Sequence, residues 1–378
     1  MRILVAADKF KGSSSSAEVA AAVSDGVRRV RPDVVIDSVP VADGGDGTLA
    51  AALAAGFELV PRTATGPTGE PVSTGFARRG DVAVVELAEA SGLSRLPGGE
   101  PAPLTASSRG TGELIAAAID SGCTQVILGI GGSACTDGGA GLLRALGARL
   151  LDADGEELTE GGAALASADS LDLTALNDRL AGVQIVVACD VDNPLTGPTG
   201  AAAIYGPQKG ASPEQVEQLD AALTHWSNLV GSQCRDLPGA GAAGGVGFAA
   251  LAVLGAGMRP GIELLLNLVG FQERVEDAEL VITGEGALDE QTLRGKAVAG
   301  VAAAARKAGV PVVAVCGSNR LDDDRLREAG IAAVYALTDL EPDVRKCIAE
   351  PVPLLRQLGE RIAGDWSFTM TATERGVV

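Results

Sequence analysis

The sequence predicts an α/β protein with parallel sheets covered on both faces and a second domain inserted into the first. Three observations carry this. Short β-branched runs are followed repeatedly by Ala-rich stretches of helical period. One stretch, residues 58–91, alternates polar and apolar residues in the manner of antiparallel hairpins. The length of 378 residues, 46% of them hydrophobic, exceeds what a single core usually supports, about 250–300 residues.

The elements follow in order. RILVAAD (2–8) is a continuous apolar run bounded by charge, and SSSSAEVAAAVSDGVRRV after it has helical spacing with serine caps, giving a first β-loop-α unit. The unit recurs in TQVILGIGGS before DGGAGLLRALGARLL and in VQIVVACD before a long Gly/Pro loop. It recurs again in AELVITGEG before KAVAGVAAAARKAG and in VPVVAVCGS before DDDRLREAG. Runs apolar on both faces and alternating with helices are the signature of buried parallel strands. The rhythm breaks near Phe57 and returns near Asp277, so residues 1–57 plus 277–378 are expected to form one domain and 58–276 the insert. The units around Val126 and Ile185 fit either sheet. The uncharged stretch Leu237 to Met258 contains Pro238 and seven glycines, which makes it a buried loop with an Ala/Gly-rich helix rather than a membrane span. The tail from Trp366 has no periodicity.

Composition removes whole classes of function. With 30 Lys plus Arg against 49 Asp plus Glu the net charge is −19, which repels nucleic acid and anionic membrane. A single histidine, His225, on an expected helix face, leaves no room for a multi-imidazole metal site and makes a Ser-His-Asp or Cys-His system depend on that one residue. Six scattered cysteines without a C-x-x-C fit a reducing compartment, and the start of the chain has no signal-peptide core, so a cytoplasmic protein is expected.

Ligands of open parallel sheets sit at the carboxyl ends of the strands. There the sequence places ADKFKGSSSS (7–16), VADGGDGT (41–48), GIGGSACTDGG (129–139), CDVDNPLTGPTG (189–200), YGPQKGAS (205–212) and TGEGALDEQTLRGK (283–296). Glycines let backbone N–H groups face phosphate oxygens, lysines add charge, and carboxylates hold Mg²⁺ or take a proton from an attacking hydroxyl. The set therefore predicts a phosphate and metal site. No P-loop is present: Lys296 is followed by Ala297 and Lys209 by Gly210. A literal G-x-G-x-x-G at 239–244 follows no strand, and kinase signatures such as H-R-D and D-F-G are absent.

Together, ADKFKGS, PVADGGDGT, TATGPTGEPV, SSRGTGELI, ILGIGGSACTDGGAGLLRALGA, ACDVDNPLTGPTGAAAIYGPQKGA, GGVGFAALAVLGAGMRPGIELLL and ELVITGEGALDEQTLRGKAVAGVA resemble the bacterial type-1 glycerate kinase family over about residues 1–320. The departures are small: Lys9 stands in a D-S-F-K-G-S motif, Asp46 in D-G-G-E-G-T, and Cys135-Thr136 before Asp137. The resemblance implies a flavodoxin/Rossmann-like domain with an inserted α/β domain and the site in the cleft between them. It implies ATP-dependent phosphorylation of D-glycerate, usually at the 2-hydroxyl, with ATP and Mg²⁺ required.

On that basis ATP phosphates are expected on Gly131, Gly132, Ser133 and Thr136 and on a turn of Gly284, Glu285 and Gly286, with Lys296 and Lys11 neutralising charge. Asp190, Asp289, Asp43 and Asp46 are the candidate metal ligands, and Asp190 or Asp289 the general base, Asp190 being favoured. Arg109 with Ser108 and Lys209 is expected at the glycerate carboxylate, and Asp8, Lys9 and Asp43 elsewhere on the substrate. The competing assignments are a capping role for Asp289, a turn role for Asp190 and a turn role for Asp43. The alternatives to the activity are phosphorylation of the 3-hydroxyl or of another small hydroxy acid, an effector-binding regulator, and a dinucleotide oxidoreductase using the 239–244 loop. Monomer and homodimer stay open.

Overall fold

The structure, a computed structural model, describes residues 1–41, 45, 47–293 and 295–366. Asp43, Asp46 and the tail beyond Trp366 lie outside them. The strands are β1 (Arg2–Ala7), β2 (Val35–Ser38), β3 (Glu58–Thr65), β4 (Pro71–Arg79), β5 (Val82–Glu86), β6 (Gln125–Gly129), β7 (Arg149–Leu151), β8 (Ser170–Asp172), β9 (Gln184–Ala188), β10 (Gly257–Arg259), β11 (Leu280–Leu288), β12 (Val312–Asn319) and β13 (Ala333–Ala336). The chain divides into two compact units, Met1–Ala42 with Leu266–Val378, and Asp43–Leu265.

The first unit holds a five-stranded sheet of order β13-β12-β11-β1-β2 with every pairing parallel. Counted along the chain within this sheet the order is 2-1-3-4-5, the flavodoxin-like arrangement. Its two chain segments are joined by the ladder that sets Ile3 opposite Leu280 and Ala7 opposite Gly284. β1 is buried from Ile3 to Ala7, as a strand covered on both faces must be. The helix Ser16–Val30 after it starts with a capping box, Ser15 Oγ accepting from Glu18 N while Glu18 accepts from Ser15 N. Its apolar stripe of Val19, Val23 and Val27 packs with Leu355, Leu358 and Ile362 of the helix Pro351–Asp365. The two helix backbones meet at Gly26, where a Cβ would lie 2.0 Å from Arg356 O.

The second unit is built on a six-stranded sheet of order β10-β9-β6-β5-β4-β3. β3, β4 and β5 pair antiparallel, as the alternating stretch predicts, and β5, β6, β9 and β10 pair parallel. The strands containing Val126 and Ile185, unassigned from sequence, are neighbours in this sheet. A small antiparallel pair, β7-β8, stands apart from it. The uncharged stretch contains the buried helix Ala242–Ala252. Among the described residues no helix is long and apolar enough to cross a membrane.

One expectation is corrected. Gly284, Glu285 and Gly286 do not form a turn: β11 runs through them, setting Gly284 opposite Val315 and Glu285 opposite Cys316 of β12. Glycine is needed at Gly284 and at Gly317 because the backbones crowd there. A Cβ on Gly284 would lie 2.3 Å from Val315 O, and one on Gly317 of β12 2.4 Å from Gly286 O. Sequence reading took these residues for a phosphate-facing turn, whereas Gly284 serves close approach within the sheet.

Candidate functional site

In the second unit the loop Ile130–Gly139 leaves the carboxyl end of β6 and leads into the helix Ala140–Ala145. Its shape is fixed from several sides. Gly92 and Ser133 bridge, with Leu93 N donating to Gly132 O at 2.9 Å and Ala134 N to Ser91 O at 2.9 Å. Gly131 lies flat on Gly45, since a Cβ there would be 2.3 Å from Gly45 Cα. On the far side Gly138 N donates to Gly244 O, and a Cβ on Gly244 would lie 2.2 Å from Cys135 O. Of the G-x-G-x-x-G glycines, Gly244 thus presses against this loop backbone to backbone, whereas a Cβ on Gly241 would meet Pro194 O at 2.2 Å. Ala243, between them, takes the left-handed conformation at φ 54. Among the described residues, the N–H groups of Gly131, Gly132, Ser133, Cys135 and Thr136 have no protein acceptor. Five amides without a protein acceptor on one constrained loop, Gly131 and Gly132 at its surface and the others within the fold, are donors suited to an anion.

Two buried charges hold this loop. Asp137 is fully buried and accepts from Ser108 N and Ser108 Oγ, both at 2.8 Å, from Gly139 N at 3.1 Å and from Gly141 N at 3.2 Å. Burial pushes its carboxyl above the usual range, and the Ser108 and Gly139 donors oppose that. Lys209, 2% exposed, donates to Ser133 Oγ at 2.9 Å and to Cys135 O. Burial lowers its ammonium below the ordinary lysine value, with Cys135 and Asp137 opposing. Asp137→Asn would set an amide donor against donors in a site closed to water, and should lower stability by about 3 kcal/mol. Urea unfolding followed by fluorescence of the buried Trp226, whose indole donates to Gly138 O, measures this; a loss below about 1 kcal/mol would refute the network.

Glu86, ending the buried strand β5, is 2% exposed and accepts from Gly47 N at 2.9 Å and Leu49 N at 2.7 Å. It thereby satisfies the first amides of the helix Thr48–Ala54 and anchors the end of the 41–48 loop. Asp190, half-buried just beyond β9, accepts from Gly261 N at 2.9 Å through Oδ1.

The three residues expected at a carboxylate are placed differently from one another. Ser108 is fully buried, its hydroxyl donating to Asp137 and accepting from Leu142 N. Lys209 is internal to the glycine loop. Arg109 opens the helix Arg109–Asp120 and donates to Glu113 at 3.1 Å and Glu160 at 3.1 Å. Glu160 also accepts from Arg144 at 2.9 Å and Ser107 at 2.6 Å. Arg109 and Glu160 border a cavity of about 220 Å³ with Thr65, Thr68, Thr105 and Ser107. This guanidinium faces two carboxylates of its own chain before any ligand arrives.

In the first unit the loop after β1 carries Asp8, Lys9 and Lys11. Asp8 Oδ1 accepts from Lys9 N at 2.7 Å, Asp8 N donates to Gly284 O, and Lys11 is exposed, its backbone N 3.5 Å from where a Gly286 Cβ would stand. Asp289 closes a turn, Oδ1 accepting from Gln291 N at 2.8 Å. It does not cap the next helix, Ala297–Lys307, whose N-cap position is Lys296; the Lys296 ammonium reaches Gln291 Oε1 at 3.2 Å. Among the described residues no group of three or more His, Cys, Asp or Glu is placed to hold a metal ion.

Sequence reading missed Asp137 and Glu86. The available signals were an acid between glycine pairs in a loop of small residues, and an acid ending an otherwise apolar strand. His225, exposed on its helix, has Nε2 2.6 Å from Ala168 O, a structural contact.

The sequence profile described as the Glycerate kinase family matches residues 3–367. The chain is 46% identical to the glycerate kinase of Bacillus subtilis (strain 168) over 344 residues, covering 89% of this chain and 90% of that one. It is 46% identical to the glycerate 2-kinase of Escherichia coli (strain K12) over 345 residues, again 89% and 90% of the two chains. A crystal structure assigned as glycerate kinase 2 of Salmonella typhimurium LT2 superposes with a TM-score of 0.83 at 42% identity, covering 97% of this chain and 98% of that one. With a glycine loop of open amides at a strand end and a match along nearly its whole length, the chain belongs to the glycerate kinase family.

Proposed function

We propose that the protein transfers the γ-phosphoryl group of ATP to the 2-hydroxyl of D-glycerate, giving 2-phosphoglycerate and ADP. The observation that carries the reading is the open run of amides on Gly131, Gly132, Ser133, Cys135 and Thr136, which suits the phosphate oxygens of a nucleotide. The relative named as a glycerate 2-kinase supports the position.

Phosphoryl transfer needs positioning and charge neutralisation more than covalent chemistry. The glycerate oxygen bonds to the γ-phosphorus as the bond to the β-phosphate bridging oxygen breaks, and the hydroxyl proton leaves to a carboxylate. Asp190, beyond β9, a parallel neighbour of β6, is assigned as that base. Its Oδ1 contact with Gly261 N fixes the side chain's direction. Mg²⁺, bound with the nucleotide, would neutralise phosphate charge, and Asp190 or Asp289 would hold it. Of the three residues first expected at the glycerate carboxylate, only Arg109 presents a partly exposed charged group, and its clamp would have to compete with Glu113 and Glu160. We infer a cytoplasmic setting, a reading supported by six scattered cysteines without a C-x-x-C.

The test is ³¹P NMR of the purified protein with D-glycerate, ATP and Mg²⁺, against a control without acceptor. A 2-phosphoglycerate resonance is expected. A 3-phosphoglycerate resonance would keep the kinase and overturn the position, and absence of an acceptor-dependent product would overturn the activity.

A further inference from the structure

We infer that Lys209 is the positioning residue of the Gly131–Thr136 loop, orienting its amides from beneath while touching neither substrate. The inference rests on reading that loop as the phosphate site. Lys209 ends the short turn Pro207–Lys209, and the next residue, Gly210, adopts φ +88, where a Cβ would lie 2.3 Å from Pro101 Cβ. The turn is thus packed down, and the lysine side chain runs into the unit with 2% of its surface exposed.

Its ammonium meets two neutral acceptors, Ser133 Oγ and Cys135 O. A buried ammonium on neutral acceptors is a poor device for stability, because its desolvation is costly and an apolar side chain of similar volume would usually serve as well. What the contact does provide is direction. In a trans peptide the carbonyl oxygen and the following N–H point to opposite sides. Drawing Cys135 O to Lys209 therefore turns Thr136 N–H away from Lys209. The Ser133 contact, two residues earlier, holds a second point on the same loop, so one ammonium fixes the stretch at Ser133 and at Cys135. Its positive charge also lies beneath donors that would face an anion.

A positioning role and direct contact with the glycerate carboxylate predict different kinetics. Lys209→Met should raise KM for ATP by about 10- to 100-fold, as small displacements of a binding loop do. KM for glycerate should change by no more than about threefold. Ser133→Ala, which removes one of the two acceptors and leaves the lysine, should shift KM for ATP in the same direction by a smaller factor. An independent readout is available because the chain has two tryptophans and Trp226 donates its indole N–H to Gly138 O of the same loop. In a Trp366→Phe background, ADP titration of Trp226 fluorescence should need a correspondingly higher ADP concentration in the Lys209→Met protein. Thermal unfolding checks that each variant is folded; should Lys209→Met not fold, Ser133→Ala carries the same comparison.

A rise in KM for glycerate alone would make Lys209 a substrate ligand and overturn the inference, and unchanged constants for both substrates would overturn it too. Absence of ADP-dependent fluorescence and of glycerate phosphorylation in the unmutated protein would instead remove the phosphate-loop reading itself. The two failures are thereby told apart.

Discussion

Replacing Asp190 by Asn should lower kcat by about 10²- to 10⁴-fold, the usual contribution of a positioned general base, while changing either KM by only a few-fold. The substitution is informative because Asp190 has a visible structural duty as well. Its Oδ1 accepts from Gly261 N at 2.9 Å, at the start of the helix Gly261–Leu268. The Asn carbonyl oxygen can keep that hydrogen bond, so the helix end stays satisfied, but an amide cannot accept the hydroxyl proton. Asp190→Ala removes both, and should add a stability loss of about 1–3 kcal/mol to the same fall in kcat. Steady-state kinetics with either substrate varied, together with thermal unfolding, separates the effects. If Asp190→Asn keeps near-normal kcat, the residue is a cap and the base lies elsewhere.

Gly131→Ala is expected to reduce kcat/KM for ATP by about 100-fold in a protein that still folds. The added Cβ would lie 2.3 Å from Gly45 Cα and 3.3 Å from Gly45 C, and no flexible side chain is there to yield. One of the two backbones must move. Gly131 begins the run of open amides, so the shift falls on the groups assigned to the phosphates. Gly197→Ala is the comparison. Its φ is +90 but nothing lies within 4 Å of the added atom, so backbone strain of about 1 kcal/mol is expected without displacement of the glycine loop. Near-normal ATP kinetics in Gly131→Ala would show that the loop tolerates displacement and is not the phosphate cradle.

Much of the architecture could be read along the chain because it depends on local pattern. Apolar runs such as ILVAA and VVAVC specify strands buried on both faces, and the polar-apolar alternation of 58–79 specifies a hairpin with one face in the core. The motifs that carry the family likeness are local too, which is why the activity could be reached from them. Composition likewise set the bounds: one histidine and a charge of −19 left small-anion chemistry with carboxylates and lysines.

Only the tertiary structure decided which of those residues face a ligand and which face the protein. Ser108 and Lys209 read as substrate ligands until the fold showed their polar ends committed to Asp137, Ser133 and Cys135. Arg109 read as a carboxylate fork until Glu113, one turn along its helix, and Glu160, 51 positions away, came to its sides. Gly284 and Gly286 read as a turn because glycine permits one, yet both lie inside β11, paired along β12, where Gly284 comes close to Val315 O and Gly317 to Gly286 O. A residue's type and neighbours in sequence state what it is able to bind. Whether that capacity is left for a ligand depends on partners that chain folding brings from far away, and in a closed interior every hydrogen-bonding group must first be satisfied there.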